Sequence, residues 1–214
     1  MEATLRITEI FHSLQGESSR VGLPTVFVRL TGCPLRCVYC DTPYAFSGGE
    51  TQSISAILQT VARHATPYVC VTGGEPLVQK NCLPLLIALC DAGYSVSLET
   101  SGALDISAVD PRVARIVDIK TPGSGEMEKN RWENLALLRA NDEIKFVLQD
   151  DADYEWAKAI LRDRATPKVG AILFSPVHGA LDPAQLAEWI LRDQLAVRMQ
   201  VQLHKYLWHN APGH

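Results

Sequence analysis

The sequence lacks the segments that direct a chain to or across a membrane. Its first ten residues, MEATLRITEI, carry neither the basic start nor the apolar run of a secretion signal, and no later stretch reaches about 18 uninterrupted apolar residues. It also lacks an excess of positive charge, since the formal net charge is -4 and the pI is near 5.9. We therefore predict a cytoplasmic protein that binds neither nucleic acid nor a membrane.

Cysteine is scarce and unevenly distributed. Six cysteines in 214 residues fall well below the density of a disulfide scaffold. Cys70, Cys82 and Cys90 lack any close pair spacing, so we interpret them as small apolar core residues. The other three cysteines lie close together in the segment 32–42, GCPLRCVYCDT, which is a C-x3-C-x2-C run. This run is the strongest sign of chemistry in the chain.

The run offers three thiolates, from Cys33, Cys37 and Cys40, and no fourth ligand. Iron–sulfur clusters are normally held by four cysteines, so a three-cysteine loop around a 4Fe-4S cube leaves one iron with an open coordination position. Zinc remains an alternative, because three cysteines and a distant histidine also satisfy a tetrahedral ion, although zinc loops usually come as two pairs. An electron-transfer ferredoxin would supply a full cysteine set.

The predicted secondary structure alternates between strands and helices. Short β-branched runs predict strands at Thr25–Leu30, Tyr68–Thr72, Tyr94–Glu99, Ile116–Ile119, Glu143–Leu148, Val169–Phe174 and Val197–Gln202. Apolar residues at helical spacing predict helices at Ser53–Arg63, Leu83–Ala92, Asp151–Arg164 and Pro183–Asp193. Between strands and helices, the stretch Lys120–Arg131 is rich in Gly, Thr and Ser, which predicts a loop in place of a helix.

Strands separated by helices imply parallel βαβ units with right-handed crossovers. A complete eight-fold barrel takes about 250 residues, which is more than this chain offers. We therefore predict an α/β fold, a partial (β/α) barrel with shortened crossovers, in a single domain spanning residues 1–214. A doubly wound open sheet is the alternative, but the G-x-G-x-x-G turn of dinucleotide binding is absent.

Polar residues follow the predicted strands at their carboxyl ends, where parallel barrels gather their chemistry. After the cysteine loop come Thr72–Pro76, Glu99–Gly102, Lys120 with Thr121, Ser175–His178, and Gln202 with His204. Lys145 lies within the fifth predicted strand. We expect these segments to surround one site.

The cysteine loop, with its Pro, Tyr and Asp companions, resembles the signature of the radical S-adenosylmethionine (SAM) superfamily, and Gly73–Pro76 resembles that superfamily's GGEP motif. The resemblance implies a partial barrel of the radical SAM type, a 4Fe-4S cluster on the three cysteines, and SAM bound at the open iron. It also implies SAM contacts from Tyr39, Cys40, Asp41, Gly74, Glu75, Thr100, Ser101, Lys120, Thr121, Ser175, Pro176, Val177 and His178.

Four further segments narrow the resemblance: FHSLQGE at 11–17, FVRLTGC at 27–33, CDT at 40–42 and QLHKYL at 202–207. Together they resemble the 7-carboxy-7-deazaguanine synthase family. That family contracts the ring of 6-carboxy-5,6,7,8-tetrahydropterin to 7-carboxy-7-deazaguanine and releases ammonia, on the route to queuosine and other 7-deazapurines. The resemblance implies that a deoxyadenosyl radical removes a hydrogen from C6 and that SAM is regenerated.

The same resemblance implies a substrate site and a magnesium ligand. The substrate residues would be Leu14, Gln15, Gly16, Glu17, Arg29, Thr72 and His204. Arg29 offers a bidentate fork for the substrate carboxylate, and a buried guanidinium needs either an anionic ligand or an internal carboxylate. Thr42 would be the protein ligand of Mg²⁺, a cation that keeps several waters and needs few side chains.

The expected partners are a pterin substrate, a low-potential electron donor such as flavodoxin or ferredoxin, and a second copy in a homodimer. A different radical SAM enzyme, such as a glycyl-radical activase, would share the cysteine loop but act on a protein. The Gln15–Glu17 segment and the lack of an added ferredoxin-type cysteine set argue against it. The alternative that is not an enzyme is a zinc-stabilised binding module.

Overall fold

The computed structural model describes residues 2–164, 168–209, 211 and 213. Nine strands form one sheet, in the spatial order β3-β1-β2-β4-β5-β6-β7-β8-β9. In chain order the strands are β1 (Thr4–Leu14), β2 (Pro24–Leu30), β3 (Glu50–Ser53), β4 (Tyr68–Gly73), β5 (Ser95–Thr100), β6 (Ala114–Ile119), β7 (Glu143–Leu148), β8 (Ala171–Pro176) and β9 (Arg198–Met199). The sheet is open, since β3 and β9 stand at its two edges.

Among the described residues, five α-helices accompany the sheet: α1 (Ile54–Val61), α2 (Cys82–Asp91), α3 (Asp151–Asp163), α4 (Pro183–Arg192) and α5 (Leu203–Trp208). The first residues of α1, α3 and α4 are fixed by side-chain caps. Ser53 accepts from the backbone N of Ala56 at 3.2 Å, and Asp182 accepts from the N of Ala184 at 2.9 Å, with Pro183 at the first helical position. In the described residues, each helix is too short or too polar to cross a bilayer.

The seven strands β2, β4, β5, β6, β7, β8 and β9 are parallel neighbours in this order, so their carboxyl ends lie along one edge of the sheet. Its strands are nearly continuous apolar runs, as parallel strands covered on both faces require. Val28, Val71, Leu98 and Phe146 are fully buried between the sheet and the helices that cross it. This packing makes the edge formed by the carboxyl ends a rigid platform for the loops that leave it.

The α/β fold is confirmed, and β2 and β4 to β8 lie where the sequence predicts strands. The N-terminal segment is different. Thr4–Leu14 forms β1, antiparallel to β2, and Glu50–Ser53 forms β3, antiparallel to β1, and neither was predicted. β1 alternates polar and apolar residues instead of forming a β-branched run, because one of its faces is partly exposed.

Two further predictions need adjustment. The last strand is much shorter than 197–202, because β9 is an edge strand that pairs only with Leu173 and Phe174 of β8. The chain then continues into α5, which was not predicted. The stretch 120–131 does replace a long crossover helix, but it contains the short 3-10 helices Pro122–Ser124 and Met127–Lys129.

Candidate active site

A cavity of about 480 Å³ opens at the carboxyl ends of the parallel strands. Most of the predicted site residues line it: Leu14, Gln15, Gly16, Glu17, Arg29, Cys33, Cys37, Tyr39, Cys40, Asp41, Thr42, Thr72, Gly74, Thr100, Ser101, Lys120, Val177, His178 and His204. Glu75, Thr121, Ser175 and Pro176 do not. The cavity therefore unites the cysteine loop with the predicted substrate residues, while the individual binding roles stay predictions.

The three cysteines of the loop line one wall of the cavity as free thiols, each partly buried. Burial raises the pKa of both Cys33 and Cys37. No other cysteine belongs to the described wall of this cavity. In the described part of the chain, no three His, Cys, Asp or Glu side chains converge on a position for a single metal ion. The donor set, three thiols from one loop, is chemically that of a 4Fe-4S cluster with one open iron.

Neighbouring segments hold the cysteine loop through its backbone. Gly32 N donates to Ala45 O at 2.8 Å, and Val38 N donates to Ser124 O at 3.1 Å. Arg36 N donates to the carboxylate of Glu126 at 2.5 Å. These bonds fix the loop independently of any bound group, because they use only protein donors and acceptors.

The paired glycines of the Gly73–Pro76 turn are required by the packing of the protein itself. A Cβ on Gly74 would lie 2.7 Å from Cys33 Cβ and closer still to the carbonyl oxygen of Gly32, and a Cβ on Gly73 would overlap the backbone of Leu30. The turn and the loop are also hydrogen-bonded, since Glu75 N donates to Gly32 O at 2.7 Å. Gly74 is thus packed against the cysteine loop, and Gly73 against the end of β2.

Glu75 lies behind the cavity wall and is fully buried. Its carboxylate accepts from Thr100 Oγ1 at 2.9 Å, from Ser101 N at 2.7 Å and from Ser101 Oγ at 2.5 Å. It also accepts from Leu77 N at 3.0 Å. Glu75 therefore ties the GGEP turn to the end of β5, and a direct side-chain contact with SAM is not what its position supports.

The other predicted residues outside the wall also have internal partners. Thr121 Oγ1 donates to Asp153 Oδ2 at 2.9 Å, which attaches the end of β6 to α3. Ser175 Oγ donates to Gln200 O at 3.1 Å, which attaches β8 to the segment after β9. Pro176 lines a second, smaller cavity beside the first.

Charged side chains of alternating sign form the floor of the cavity. Lys120 Nζ donates to Asp118 Oδ2 at 2.9 Å, Lys145 Nζ lies 4.0 Å from the same oxygen, and Lys145 forms a short ion pair with Glu17. Burial opposes the charge of Lys145, yet Glu17 and Asp118 raise its pKa. Asp118 was not predicted as a site residue, and Lys145 was predicted near the site without a role. The available signal was a charged residue inside an apolar strand, in IVDI and EIKFVL.

Glu99 lies beside this floor and holds two predicted substrate residues. Its Oε2 accepts from Thr72 Oγ1 at 3.0 Å, and its Oε1 accepts from Gln15 Nε2 at 3.4 Å. Burial raises the pKa of Glu99, an effect that Lys145 opposes and Glu17 reinforces. Glu99 thus links the ends of β1 and β4 from β5.

The buried guanidinium of Arg29 needs an anionic partner, and the structure provides an internal carboxylate. Its Nε donates to Glu9 Oε1 at 2.7 Å, and Tyr44 OH donates to the same oxygen at 2.9 Å. The guanidinium also lies near the rings of Phe11 and Tyr44. In the described structure these contacts position Arg29 on the cavity wall.

The helix α5 closes the cavity from the C-terminal side. Lys205 Nζ lies 3.1 Å from Asp41 Oδ2, and Gln202 Nε2 donates to the same oxygen at 3.0 Å. Although burial acts in the opposite direction, Lys205 and these hydrogen bonds hold the pKa of Asp41 well below its usual range. A Cβ on Gly16 would lie 2.5 Å from His204 Nδ1, so only glycine fits beneath this histidine.

Comparison with known proteins gives three findings. Residues 27–121 match the model of the radical SAM superfamily. A 7-carboxy-7-deazaguanine synthase from Chlorobaculum tepidum is 50% identical over 97% of this chain and 96% of its own, and one from Koribacter versatilis is 45% identical over 95% and 97%. The crystal structure of QueE from Escherichia coli matches with a TM-score of 0.74 and 26% identity, covering 94% of this chain and 95% of that one.

Proposed function

The chain belongs to the 7-carboxy-7-deazaguanine synthase family of the radical SAM superfamily, and from that premise we propose that it contracts 6-carboxy-5,6,7,8-tetrahydropterin to 7-carboxy-7-deazaguanine with release of ammonia. Its cofactors are those of the superfamily, a 4Fe-4S cluster and SAM. The reaction makes the chain a carbon–nitrogen lyase of queuosine and 7-deazapurine synthesis.

One observation carries the proposal: a single cavity joins the three-cysteine loop to a pocket of hydrogen-bonding and charged side chains. Arg29 lies in that pocket and suits the substrate carboxylate, because a guanidinium binds a carboxylate through two parallel hydrogen bonds. Gln15 and Thr72, held by Glu99, suit the polar edge of a pterin. A protein substrate would need an extended docking face in place of an enclosed pocket.

When bound, the cluster and SAM supply a deoxyadenosyl radical that can take a hydrogen from C6 of the pterin. The residues of this chain orient the substrate and exclude water from it. The α5 helix covers the pocket, with His204 packed on Gly16 and Lys205 paired with Asp41. Exclusion of water matters here because it prevents side reactions of reactive intermediates.

The test is turnover under anaerobic conditions. The protein, reconstituted with iron and sulfide and supplied with SAM, Mg²⁺ and a reductant, should turn brown and convert carboxytetrahydropterin to the deazapurine and ammonia. Mass spectrometry detects both products. Cleavage of SAM without a pterin-derived product would reject this substrate while keeping the superfamily chemistry.

We also propose Thr42 as the protein ligand of Mg²⁺. Thr42 lines the cavity two residues after Cys40, and its Oγ1 donates to Asp41 Oδ1 at 2.7 Å. One hydroxyl is sufficient for a cation that completes its shell with water and substrate oxygens. Thr42→Ala should lower turnover mainly by weakening the use of Mg²⁺, whereas an unchanged magnesium titration would remove Thr42 as a ligand. Thr42→Ser, which keeps the hydroxyl, is the matched control.

The remaining proposals concern partners and surroundings. A radical SAM enzyme needs a reductant, and we propose a low-potential flavodoxin or ferredoxin in the cytoplasm. We propose further that residues 1–214 act as one domain and that the chain works as a homodimer. Sedimentation of the reconstituted protein would measure the latter.

A further inference from the structure

The ion pair between Glu17 and Lys145 at the cavity floor has no role in the function proposed above. Both residues line the cavity and each is only 8% exposed. Glu17 follows β1 in the chain, whereas Lys145 is in β7, so the pair joins distant parts of the fold. A buried pair of this kind is weak evidence for stability, because the cost of desolvating two charges offsets much of their attraction. Its position in the cavity suggests a role in binding.

The carboxylate of Glu17 is only half satisfied. One oxygen, Oε2, accepts from Lys145, while in the described structure the other, Oε1, is buried and has no hydrogen-bond partner. A buried acceptor left without a donor is unfavourable, because it has lost its hydrogen bond to water. Asp118, on the other side of Lys145, likewise has one buried oxygen without a partner among the described residues. The described cavity floor therefore has two carboxylate oxygens without a donor, one on each side of the Lys145 ammonium group.

The backbone around Glu17 does not depend on Lys145. Ser18 N donates to Gln200 Oε1 at 2.8 Å, and Ser19 N donates to the carboxylate of Glu143 at 3.0 Å. Glu17 N itself donates to Gln15 Oε1 at 3.1 Å. These bonds hold the loop in place, so the contact with Lys145 acts on the carboxylate of Glu17 and not on the course of the chain.

The charged and titratable groups around Glu17 come from four elements. Lys145 lies on β7, Asp118 on β6 and Glu99 on β5, and His204 on α5 is close enough for Glu17 to affect its titration. Lys145 is the cation in direct contact with Glu17 and lies between it and Asp118. Without Lys145, the Glu17 carboxylate would have no cation in contact among the described residues and would face other carboxyl groups, so its position would not be held.

Resting on the function proposed above, we infer that Lys145 is a positioning residue that holds Glu17 as an ionised acceptor for the aminopyrimidinone edge of the pterin. That edge presents an amino group and a ring N–H side by side, which are donors that a carboxylate accepts. Lys145 itself need not touch the substrate. Glu99 is the neighbouring carboxyl group, and its oxygens already accept from Thr72 and Gln15, whereas Glu17 keeps one oxygen without a partner in the described structure.

The test measures the binding of 6-carboxypterin, the aromatic analogue that has no hydrogen on C6 and cannot react, to the reconstituted enzyme with SAM. Lys145→Met removes the charge but keeps most of the stem. Together with Glu17→Gln and the double variant it forms a double-mutant cycle. Lys145→Arg keeps the charge, and Lys158→Met, which removes a lysine paired with Asp193 away from the cavity, is the matched control.

We expect Lys145→Met to raise the Kd for 6-carboxypterin about tenfold or more, the loss expected for one charged hydrogen bond, with the Kd for SAM and the iron content unchanged. The double variant should bind no more weakly than Glu17→Gln, and Lys145→Arg should restore most of the affinity. Lys158→Met should bind like the wild type. A merely structural lysine would instead give additive losses and weaken SAM binding as well, which would overturn the inference.

If Lys145→Met does not fold, Glu17→Gln and Lys145→Arg decide the question. Wild-type affinity in Glu17→Gln, or a full loss in Lys145→Arg with intact cluster content, would overturn the inference. Failure of the proposed function has a different signature, because the wild type itself would then cleave SAM but neither bind 6-carboxypterin nor form the deazapurine.

Discussion

The two ends of the cavity are built by different means. At the cysteine end, the loop that carries Cys33 is fixed by backbone hydrogen bonds and by glycines packed against its backbone. At the substrate end, side chains are fixed by ion pairs and carboxylate hydrogen bonds, such as those of Arg29 with Glu9 and of Lys145 with Glu17. The cysteine end has a rigid shape, whereas the substrate end has a fixed set of donors and acceptors.

The difference follows from what each end has to hold. A metal cluster needs thiols at fixed positions, and backbone packing provides them without adding competing ligands. A polar heterocycle is recognised by hydrogen bonds, and a site built to make them rejects analogues that leave its buried groups unpaired. Substitutions that change shape should therefore damage the cysteine end most, and substitutions that change charge should damage the substrate end most.

Gly74→Ala should break the cysteine end alone and have the largest effect. The added Cβ would collide with the carbonyl of Gly32 and lie 2.7 Å from Cys33 Cβ, so the loop must move. We expect turnover near background, greatly reduced iron content, and a loss of about 3 kcal/mol or more in the stability of the cluster-free protein. Gly170→Ala, whose Cβ would approach a carbonyl oxygen at 3.0 Å outside the cavity wall, is the control. Equal iron content in Gly74→Ala and wild type would contradict the account.

Glu75→Gln tests whether the side chain of Glu75 stabilises the cysteine end. The amide would present an NH₂ group to donors from Ser101 and Thr100 that now meet a carboxylate. We expect the free energy of unfolding of the cluster-free protein to fall by about 2–4 kcal/mol in urea titrations. Glu188→Gln, on the exposed side of α4, should stay within about 0.5 kcal/mol of the wild type. A similarly small change at Glu75 would show that the carboxylate is dispensable.

Glu99→Gln tests the substrate end through the pH dependence of the free energy of unfolding. Burial raises the pKa of Glu99 in the folded state, so the native protein binds more protons than the unfolded chain between the two pKa values. The stability that Glu99 contributes is therefore present below the ordinary carboxyl pKa and is lost as pH rises through the raised value. Urea titrations from about pH 5 to about pH 9 should show the wild type losing stability relative to Glu99→Gln. Parallel curves would mean that Glu99 is ionised throughout.

Lys205→Ala should have the smallest effect, because it removes one ion pair between α5 and the cysteine loop. Lys205 pairs with Asp41 at 3.1 Å, and the carboxylate of Asp41 is partly exposed at 38% of its side-chain surface. Without this pair, Gln202 still donates to the same Asp41 oxygen, so we expect KM for the pterin to rise about two- to fivefold with kcat nearly unchanged. Lys168→Ala, exposed and away from the cavity wall, should leave KM as it is. A large fall in kcat instead would show that α5 takes part in the chemistry.

Much of the parallel sheet could be predicted because buried parallel strands are continuous apolar runs. Val69 and Val71 belong to such a run, and the residues after it form the GGEP turn at the edge where site residues meet. Predicting β1 was harder, because its alternating pattern with partly exposed residues is typical of an antiparallel strand with one solvated face. β9 was overestimated, because only Arg198 and Met199 pair with β8.

The site was predicted as far as local motifs describe it. The cysteine loop and Gln15 lie on the cavity where the motifs placed them. Asp118 was missed and Lys145 was given no role, because the pairs that they form exist only in the folded sheet, with adjacent strands and with the loop after β1. Glu75 stays a predicted SAM contact, but the motif did not show that its side chain turns into the protein.

The alternating signs along the cavity floor have a consequence for how a ligand arrives. Positive Lys120 and Lys145 are each next to negative Asp118, and Lys145 also faces Glu17, so their fields cancel within a few residues. A protein whose site carries no net excess of one sign does not draw its ligand in from a distance. The association rate of the pterin should consequently respond little to added salt, and discrimination should take place after the encounter, at contact range.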